Sequence, residues 1–320
     1  MEEKIDFVIT WVDEKDEEWQ REARKYACSK DDIRPDRFRD WGILRYLFRS
    51  IEAHAPWVNR IYFVTCGQKP VWLNTANEKL VCVKHEDFID ARYLPTFNSC
   101  VIEDNLHRIP GLSEQFVYFN DDIIITNDVK PSDFFLEGRP LDHRQYANVW
   151  NHGDMAFRIN YNCNAVIRKY FASDMPENLK KTARETLKGL VLRQKPIAGL
   201  TYDHSPTAFL KSTFTEVWDR EEAYLSDVCT HRFRTGEDVS QWLFKYWQIA
   251  SGDYLERSST NGYYLLFDEK IPLVTEALNN GRYKTMCLND TYWKMDYNAN
   301  KEKLTQALET SFPAESSFEI

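Results

Sequence analysis

The segment FVYFNDDIIITNDV, residues 116–129, runs a β-forming apolar stretch into two adjacent carboxylates and then back into isoleucines. Asp is depleted in strands, and charges are rarely buried without a partner, so Asp121 and Asp122 need compensation. A divalent cation such as Mg²⁺ would supply it, because hard metals bind carboxylate oxygens and share them with substrate phosphates. A β-turn, in which Asn and Asp are ordinary residues, explains this stretch equally well.

Strands and helices alternate on either side of this segment. The patterns predict strands over 5–12, 60–66, 79–84 and 115–120, and helices over 16–27, 39–55 and 98–109. Such alternation is typical of parallel β-α-β units in a layered α/β fold. In open sheets of this kind, ligands bind beyond the carboxyl ends of the strands. Several polar residues follow directly after predicted strands, which favours the ligand interpretation of the acidic pair: Asp13, Gly67, Gln68, His85, Asn120, Asp121 and Asp122.

The second half of the chain is predicted to be mostly helical, with a soft boundary near residue 140. Helices are expected over 177–193, 205–218, 238–250 and 301–312, and a late strand over 283–288 could return to the first sheet. The helix over 177–193 should turn its Leu and Val side chains inward. Ser205 and Pro206 match the first positions of the helix over 205–218.

The composition excludes some classes of protein. Fifty acidic residues against 41 basic ones give a net charge of −9, which argues against a general nucleic-acid binder. The amino terminus lacks the positive region of a secretory signal, and no apolar run of membrane-spanning length follows, so we expect a cytosolic protein. The seven cysteines contain no C-x-x-C pair, and buried thiols are expected rather than a disulfide framework or a zinc cluster.

The predicted helix over 98–109 carries two charged pairs at a spacing of four residues. Glu103 and His107 share one helical face, and Asp104 and Arg108 share another. Asp104 and Arg108 suit an exposed ion pair on a solvated helix. Glu103 lies within the apolar stripe of this helix, where a solvent-exposed position explains a single charge less readily.

Two later segments supply further polar groups. His204 precedes a predicted helix and can act as a general base near neutral pH, although a single His is more often structural. Arg232 and Arg234 precede another helix, and both a guanidinium and a helix amino terminus attract phosphate. Glu237 and Asp238 are expected to cap that helix. Together with the acidic pair, these groups are those of metal-assisted phosphoryl transfer. P-loop, dinucleotide and hydrolase signatures are absent from the sequence.

The sequences of six stretches resemble, in order, the four blocks of the Stealth family. They are IDFVITWVD (5–13), RFRDWGILRYLFRSIEAHAPWVNRIYFVTCGQKPVWLN (37–74), LPTFNSCVIEDNLHRIPGLSEQFVYFNDDI (94–123), DHSPTAFL (203–210) with RFRTGEDV (232–239), and CLND (287–290). That family includes bacterial capsule hexose-phosphate transferases and the catalytic part of the animal GlcNAc-1-phosphotransferase. Two departures, Glu14 for the usual Gly and Trp41 with Ile43 for the usual Asn and Glu, concern the donor-sugar preference.

The resemblance implies a nucleotide-sugar glycosyltransferase sheet of GT-A type, elaborated with helices in the second half. It also implies transfer of a hexose 1-phosphate, typically from a UDP-linked N-acetylhexosamine, to a glycan hydroxyl, with release of a nucleoside monophosphate. A capsule-type role would place the protein in the cytoplasm, with peripheral association at the inner membrane face.

The same resemblance implies roles for individual residues. Asp121, Asp122 and Asp290 would hold Mg²⁺ or Mn²⁺. Catalysis would fall to His204 as base, to Glu103 as rival base or orienting group, to Arg234 as the charge-neutralising cation, and to Asp122. Residues expected to bind the donor are Trp11, Asp13, Arg39, Arg45, Gly67, Gln68 and Asn289.

Two alternatives stay open at this stage. A metal-dependent glycosyltransferase would cut the other bond of the donor and release a nucleoside diphosphate. A carbohydrate-binding protein with vestigial enzyme residues would turn over no nucleotide sugar at all.

Overall fold

The computed structural model describes residues 4–30, 32–34, 37–201, 203–291 and 295–320. Its strands are β1 (Ile5–Thr10), β2 (Ile61–Thr65), β3 (Leu80–Lys84), β4 (Gln115–Asn120), β5 (Ile123–Ile125), β6 (Phe135–Leu136), β7 (Arg139–Asp142), β8 (Tyr146–Val149), β9 (Ile197–Leu200), β10 (Thr207–Leu210), β11 (Leu255–Glu256), β12 (Asn261–Leu265) and β13 (Thr285–Asn289). Its helices are α1 (Glu17–Tyr26), α2 (Leu44–His54), α3 (Ser99–Asp104), α4 (Met155–Phe171), α5 (Ala183–Leu192), α6 (Lys211–Cys229), α7 (Gln241–Ser251), α8 (Ile271–Asn279) and α9 (Tyr297–Ser311). Within these ranges, no helix combines the length and apolar composition needed to cross a bilayer.

Five strands form the central sheet, in the spatial order β10-β4-β1-β2-β3. Neighbours among β1 to β4 run parallel, and β10 runs antiparallel to β4. The predicted α/β fold with a mostly parallel sheet is confirmed. Thr10 lies opposite both Val64 and Asn120, so β1, β2 and β4 end side by side at one edge of the sheet.

The central strands are apolar almost throughout because helices cover both faces of the sheet. Successive residues therefore enter opposite cores: Phe7 and Val117 face the first core, whereas Val8 and Tyr118 face the second. The first core includes residues of α2, α8 and α9, and the second includes residues of α4, α6 and α7. Both cores draw on residues from each side of position 140, and the division of the chain there stays a prediction.

The expected helix over 205–218 is wrong at its start. Thr207 to Leu210 form β10, which pairs with the open edge of β4, and helix α6 begins only at Lys211. Exposed backbone groups along β4 require a partner, and a short run rich in β-forming residues provides it. His204 therefore precedes a strand and not a helix.

The acidic pair forms the turn between β4 and β5, as the turn interpretation predicted. Strand β5 then pairs antiparallel with β13, and the Leu288 N–H donates to the Asp122 carbonyl at 2.8 Å. The late strand thus joins β12 and β5 in a second sheet, and it does not return to the first sheet, which the sequence had left open as a possibility.

The expected helix over 98–109 ends early. Helix α3 stops at Asp104, and a 3₁₀ turn follows over Leu106–Arg108. Asp104 is fully buried, while the Arg108 guanidinium lies 4.1 Å from the centre of the Trp218 ring, so the exposed ion pair is wrong. The shared face of Glu103 and His107 is also wrong, because His107 lies in the 3₁₀ turn and packs on Phe214.

Capping of α7 differs from the prediction as well. Ser240 is the N-cap, and its hydroxyl accepts a hydrogen bond from the Trp242 N–H. Asp238 lies before the helix and is buried, where it accepts hydrogen bonds from Asn98 and Thr235. The expectation that Glu237 and Asp238 cap this helix is wrong.

Two expectations about burial also fail. Helix α5 leaves Leu187, Leu190 and Val191 exposed instead of turning them inward. All seven cysteines are free, as expected, but Cys28 and Cys66 are exposed thiols. A local apolar pattern in the sequence does not show whether another helix or strand will pack over a given side chain.

Candidate active site

A cleft of about 590 Å³ opens at the carboxyl ends of β1 and β4, where the strand-end rule predicts a ligand. The ends of these strands, the segment before α2, and residues of α3, α4, α7 and β13 contribute to its walls. It contains most of the residues expected from the sequence: Trp11, Arg39, Glu103, Asp121, Asp122, His204, Arg234, Asn289 and Asp290.

Four expected donor-binding residues do not line this cleft. The Asp13 N–H donates to Gln68 Oε1 at 2.9 Å, and Gln68 Nε2 donates to the Asp13 carbonyl at 2.9 Å. Gly67 allows the tight turn before Gln68 with a φ of +112°. These three residues join the loops after β1 and β2. Arg45 lies in α2, where its guanidinium pairs with Glu319 at 3.5 Å.

Asp121 and Asp122 lie at the floor of the cleft. Burial and the neighbouring Asp122 charge raise the pKa of Asp121 well above its ordinary value, and burial raises the pKa of Asp122. Asp122 Oδ2 accepts a hydrogen bond from the Cys287 thiol at 3.4 Å. Its Oδ1 is buried and has no hydrogen-bond partner among the described residues. An unsatisfied buried carboxylate oxygen is costly and invites a cationic ligand.

The acidic pair fits a divalent cation, because Mg²⁺ and Mn²⁺ prefer carboxylate and phosphate oxygens. Asp290 is placed differently: its two oxygens accept bonds from Arg39 Nε at 2.8 Å and Arg39 Nη2 at 2.5 Å. Across the described ranges, no group of three or more His, Cys, Asp or Glu side chains has metal-binding geometry. Asp121 and Asp122 would hold a cation here, with donor phosphates and water as further ligands, and a role for Asp290 in metal binding stays a prediction.

His204 is held by aromatic neighbours. Its ring stacks on Tyr263, with centroids 5.4 Å apart and an interplanar angle of 27°, and meets Trp242 edge-on at 6.1 Å. The Tyr263 hydroxyl accepts a hydrogen bond from Asn289 Nδ2 at 2.9 Å. Burial lowers the pKa of His204, although the Asp122 charge opposes that shift. The imidazole is accordingly neutral near pH 7 and able to accept a proton.

Glu103 and Arg234 lie near each other in the cleft, around Ser99. Arg234 donates to the Ser99 hydroxyl from Nε at 3.1 Å and from Nη2 at 2.5 Å. Glu103 Oε1 accepts from the Tyr118 hydroxyl at 3.4 Å, and Oε2 accepts from the Gln241 N–H at 3.3 Å. Burial raises the pKa of Glu103, while the Arg234 charge lowers it. This environment suits a carboxyl that exchanges a proton, or one that orients a neighbouring base.

Several residues of the site were missed at the level of sequence, among them one arginine and two tyrosines. Arg37 and Tyr263 line the cleft, as does Tyr118, whose hydroxyl lies 2.9 Å from Thr10 Oγ1. Tyr118 had a usable signal, because the period of two in β4 turns its side chain to the face occupied by α3. Arg37 belongs to a run of cations before α2. Nothing in the sequence distinguishes Tyr263 from other tyrosines.

Comparison with known proteins extends these observations. Residues 3–31 match the family model of Stealth protein CR1, conserved region 1, and residues 37–141 match that of Stealth protein CR2, conserved region 2. The chain is 39% identical to the receptor polysaccharide phosphotransferase WefC of Streptococcus oralis, over 99% of each chain. It is 38% identical to the capsular polysaccharide phosphotransferase WcwK of Streptococcus pneumoniae, again over 99% of each. It is 33% identical to the exopolysaccharide phosphotransferase cps2G of Lactiplantibacillus plantarum, over 98% of this chain and 96% of the relative.

Among solved structures, the crystal structure of galactosyltransferase LgtC in complex with donor and acceptor sugar analogs aligns over 97% of this chain and 98% of its own. The TM-score is 0.42 and the sequence identity is 9%.

The fold and the cleft define an α/β protein with a charged site at the carboxyl edge of a mostly parallel sheet. Full-length similarity then identifies the group to which it is related, and the chain belongs to the Stealth family. The resemblance stated from the sequence is confirmed.

Proposed function

We propose that the protein transfers a hexose 1-phosphate, with N-acetylhexosamine as the preferred sugar, from a nucleotide sugar to a glycan hydroxyl. The products are a phosphodiester and a nucleoside monophosphate, and the role is in capsule or other cell-surface polysaccharide synthesis. The observation that carries the proposal is the placement of the Asp121–Asp122 pair in one cleft with His204 and Arg234. Full-length relatives named as polysaccharide phosphotransferases support the same chemistry.

The proposal includes Mg²⁺ or Mn²⁺ held by Asp121 and Asp122. When bound, the cation would neutralise the charge of the donor diphosphate and of the two carboxylates. The raised pKa values of both carboxyls and the unpartnered Asp122 Oδ1 support this assignment, since they are the properties of a site that binds a cation.

His204 is proposed to take the proton of the acceptor hydroxyl as its oxygen attacks the phosphorus attached to the sugar. One P–O bond forms to the acceptor, and the P–O bond to the nucleoside monophosphate breaks. The neutral state of His204 supports this role, because only the unprotonated imidazole can act as base. Glu103 is the rival base, or the group that orients the acceptor.

Arg234 is proposed to stabilise the negative charge that spreads over the transferred phosphoryl oxygens. Two of its nitrogens donate to Ser99, which fixes the guanidinium at the wall of the cleft before substrate arrives. Arg39, Trp11 and Asn289 line the same cleft and are proposed to contact the donor nucleotide or sugar.

The leaving nucleotide tests the proposal. The purified protein is incubated with a panel of nucleotide sugars, a mixture of glycan acceptors and either Mg²⁺ or Mn²⁺, and the nucleotide products are identified by mass spectrometry. We expect a nucleoside monophosphate together with an acceptor that has gained both the sugar and the phosphate. A nucleoside diphosphate with a phosphate-free product would show a glycosyltransferase instead. Tight glycan binding without turnover of any donor would show a carbohydrate-binding protein.

The matched variants are Asp122→Asn and Asp128→Asn. Both change one carboxyl to its amide in the same stretch of sequence, but Asp128 is a surface residue with 86% of its side chain exposed. Asp122→Asn should abolish release of the monophosphate without lowering the thermal unfolding temperature, because the raised pKa of this carboxyl means that its charge costs stability at neutral pH. Asp128→Asn should leave turnover unchanged. Full turnover in Asp122→Asn would remove this residue from the mechanism.

A place of action in the cytoplasm, beside the inner membrane face, belongs to the same proposal. The relatives named for capsular and exopolysaccharide synthesis support it.

A further inference from the structure

Helix α5 presents an apolar stripe to solvent. Ala183, Leu187, Leu190 and Val191 recur at the spacing of one helical face, and the last three are 62%, 71% and 72% exposed. No residue of α5 is buried. Single exposed aliphatic residues are ordinary on protein surfaces, but three together on one helical face mark a binding surface. We call this surface the α5 stripe.

The opposite side of α5 attaches to the protein through polar and aromatic contacts. Glu185 accepts a hydrogen bond from Asn148 Nδ2 at 3.1 Å, and the Lys188 ammonium lies 5.0 Å from the centre of the Trp150 ring. Thr182 and Glu185 form a capping box that stabilises the first turn. These contacts do not involve Leu187, Leu190 or Val191, so the α5 stripe is left free for another surface.

The segment that contains the α5 stripe is strongly basic. Residues 180–195 contain a single acidic residue, Glu185, and six basic ones, Lys180, Lys181, Arg184, Lys188, Arg193 and Lys195, a balance of +5 in a chain whose net charge is −9. Five of these six cations are exposed. The cluster is therefore a local exception to an acidic surface, and its partner should be anionic.

An apolar helical stripe bordered by Lys and Arg is the pattern of helices that lie in the interface of a bilayer. The apolar side chains enter the acyl boundary, while the long basic side chains reach anionic headgroups. Protein interfaces have a different composition, because their cores are enriched in aromatic residues and depleted in Lys. The α5 stripe has no aromatic residue and lies in a segment rich in exposed cations.

We propose that α5 docks the protein onto an anionic membrane surface, with Leu187, Leu190 and Val191 inserted at the interface. This inference concerns attachment and does not depend on the transfer chemistry. It also orients the cleft. Gly189 lies against the Trp150 ring, and the residues shortly after Trp150, including Asp154 and Phe157, line the cleft. Docking through α5 thus holds the cleft beside the bilayer.

Vesicle binding tests the inference. The full chain is mixed with sucrose-loaded vesicles of phosphatidylcholine, with or without phosphatidylglycerol, and the sedimented fraction is measured at low and at high salt. We expect binding to the phosphatidylglycerol vesicles, weak binding to phosphatidylcholine alone, and a loss of binding as salt screens the basic cluster.

Two sets of variants separate the apolar and the charged contributions. Leu187→Ser with Leu190→Ser should weaken partitioning at least tenfold, and its control is Val71→Ser with Leu136→Ser, which removes two exposed aliphatic side chains elsewhere. Lys180→Gln with Lys181→Gln and Arg184→Gln should weaken partitioning to anionic vesicles by roughly a hundredfold, from the usual contribution of a cation near a charged bilayer.

Circular dichroism and thermal unfolding confirm that the variants fold. Equal binding of the stripe variant and its control would overturn the inference, as would no binding by the parent protein to either kind of vesicle. Self-association that disappears with Leu187→Ser and Leu190→Ser, without vesicle binding, would assign the stripe to a protein partner and likewise overturn it. These readouts contain no turnover measurement, so they are independent of the proposed activity.

Discussion

Replacing Lys245 with methionine should lower the free energy of unfolding by about 3 kcal/mol at neutral pH, because a buried ion pair that loses one partner leaves an uncompensated charge. The Lys245 ammonium is almost fully buried and lies 2.6 Å from Asp203 Oδ1 and 3.1 Å from Asp142 Oδ1. Asp142 is buried, whereas Asp203 keeps 39% of its side chain exposed. Water screens part of the second interaction, and for that reason the lower end of the usual range applies.

The pH dependence of this loss follows from the two carboxyls. Burial would raise the pKa of Asp203, but the charge and hydrogen bond of Lys245, with the Ser205 hydroxyl, together outweigh burial and hold that pKa well below its ordinary value. Burial raises the pKa of Asp142, and Lys245 opposes the rise. Without Lys245 both folded-state pKa values should lie above the unfolded ones. A group raised in this way loses stability as the pH rises through its pKa, so the deficit should be largest near pH 7 and shrink near pH 5.

Urea unfolding of the parent and of Lys245→Met at these two pH values measures the deficit. A matched control is Lys84→Met, which breaks an ion pair at 3.0 Å between side chains that are both more than half exposed, and it should leave stability unchanged. Adding Asp203→Asn to Lys245→Met should cost less than Asp203→Asn alone, because the two residues are coupled. An equal deficit at both pH values, or a loss no larger than that of the control, would refute the account. Lys245→Met should also lose turnover, because Lys245 positions Asp203 and Asp203 directly precedes His204.

Three further predictions concern the cleft. Asp121→Asn should raise the thermal unfolding temperature in metal-free buffer at neutral pH, because a raised carboxyl pKa means stability lost as the pH rises; calorimetry showing a decrease would contradict this. His204→Gln should lower turnover roughly 10²–10⁴-fold. The acid limb of the parent's pH–rate profile should lie below the ordinary His pKa, near 6.5, and be absent from the variant's residual activity; a limb retained there would assign it to another group. Arg39→Met should reduce the free energy of unfolding by about 2 kcal/mol, because it leaves the Asp290 carboxylate without its two hydrogen bonds from Arg39. In urea titrations, adding Asp290→Asn to Arg39→Met should recover part of the loss.

The central strands were predictable because their determinants are local. Strands β1 to β4 are short β-forming runs bounded by breakers, and helices between them imply parallel neighbours. Strand β10 was not predictable, because Thr207 to Leu210 precede a long helix and only the open edge of β4 selects the extended form. The early end of α3 at Asp104 depends in the same way on distant packing, since the Trp218 indole N–H donates to the Asp104 carbonyl at 2.7 Å.

The site shows the same division. The strand-end rule located Asp121 and Asp122. Residue chemistry singled out Glu103, His204 and Arg234, and similarity to the family added their roles; all five residues line one cleft. Side-chain direction was beyond both approaches. Arg39 reaches the cleft whereas Arg45 pairs with Glu319, and the choice between them depends on how α2 packs. Arg39 and Asp290 are hydrogen-bonded although they are 251 positions apart in the sequence, and no local sequence pattern predicts this pairing.

The order of strands in the central sheet limits how such genes can recombine. A fragment ending near residue 140 would contain β4 but not β10, which covers one side of β4. An uncovered strand edge is a template for aggregation. Related proteins therefore could not exchange the amino-terminal half as an independent unit. A viable chimera must inherit residues 115–120 and 207–210 from parents whose edges still match.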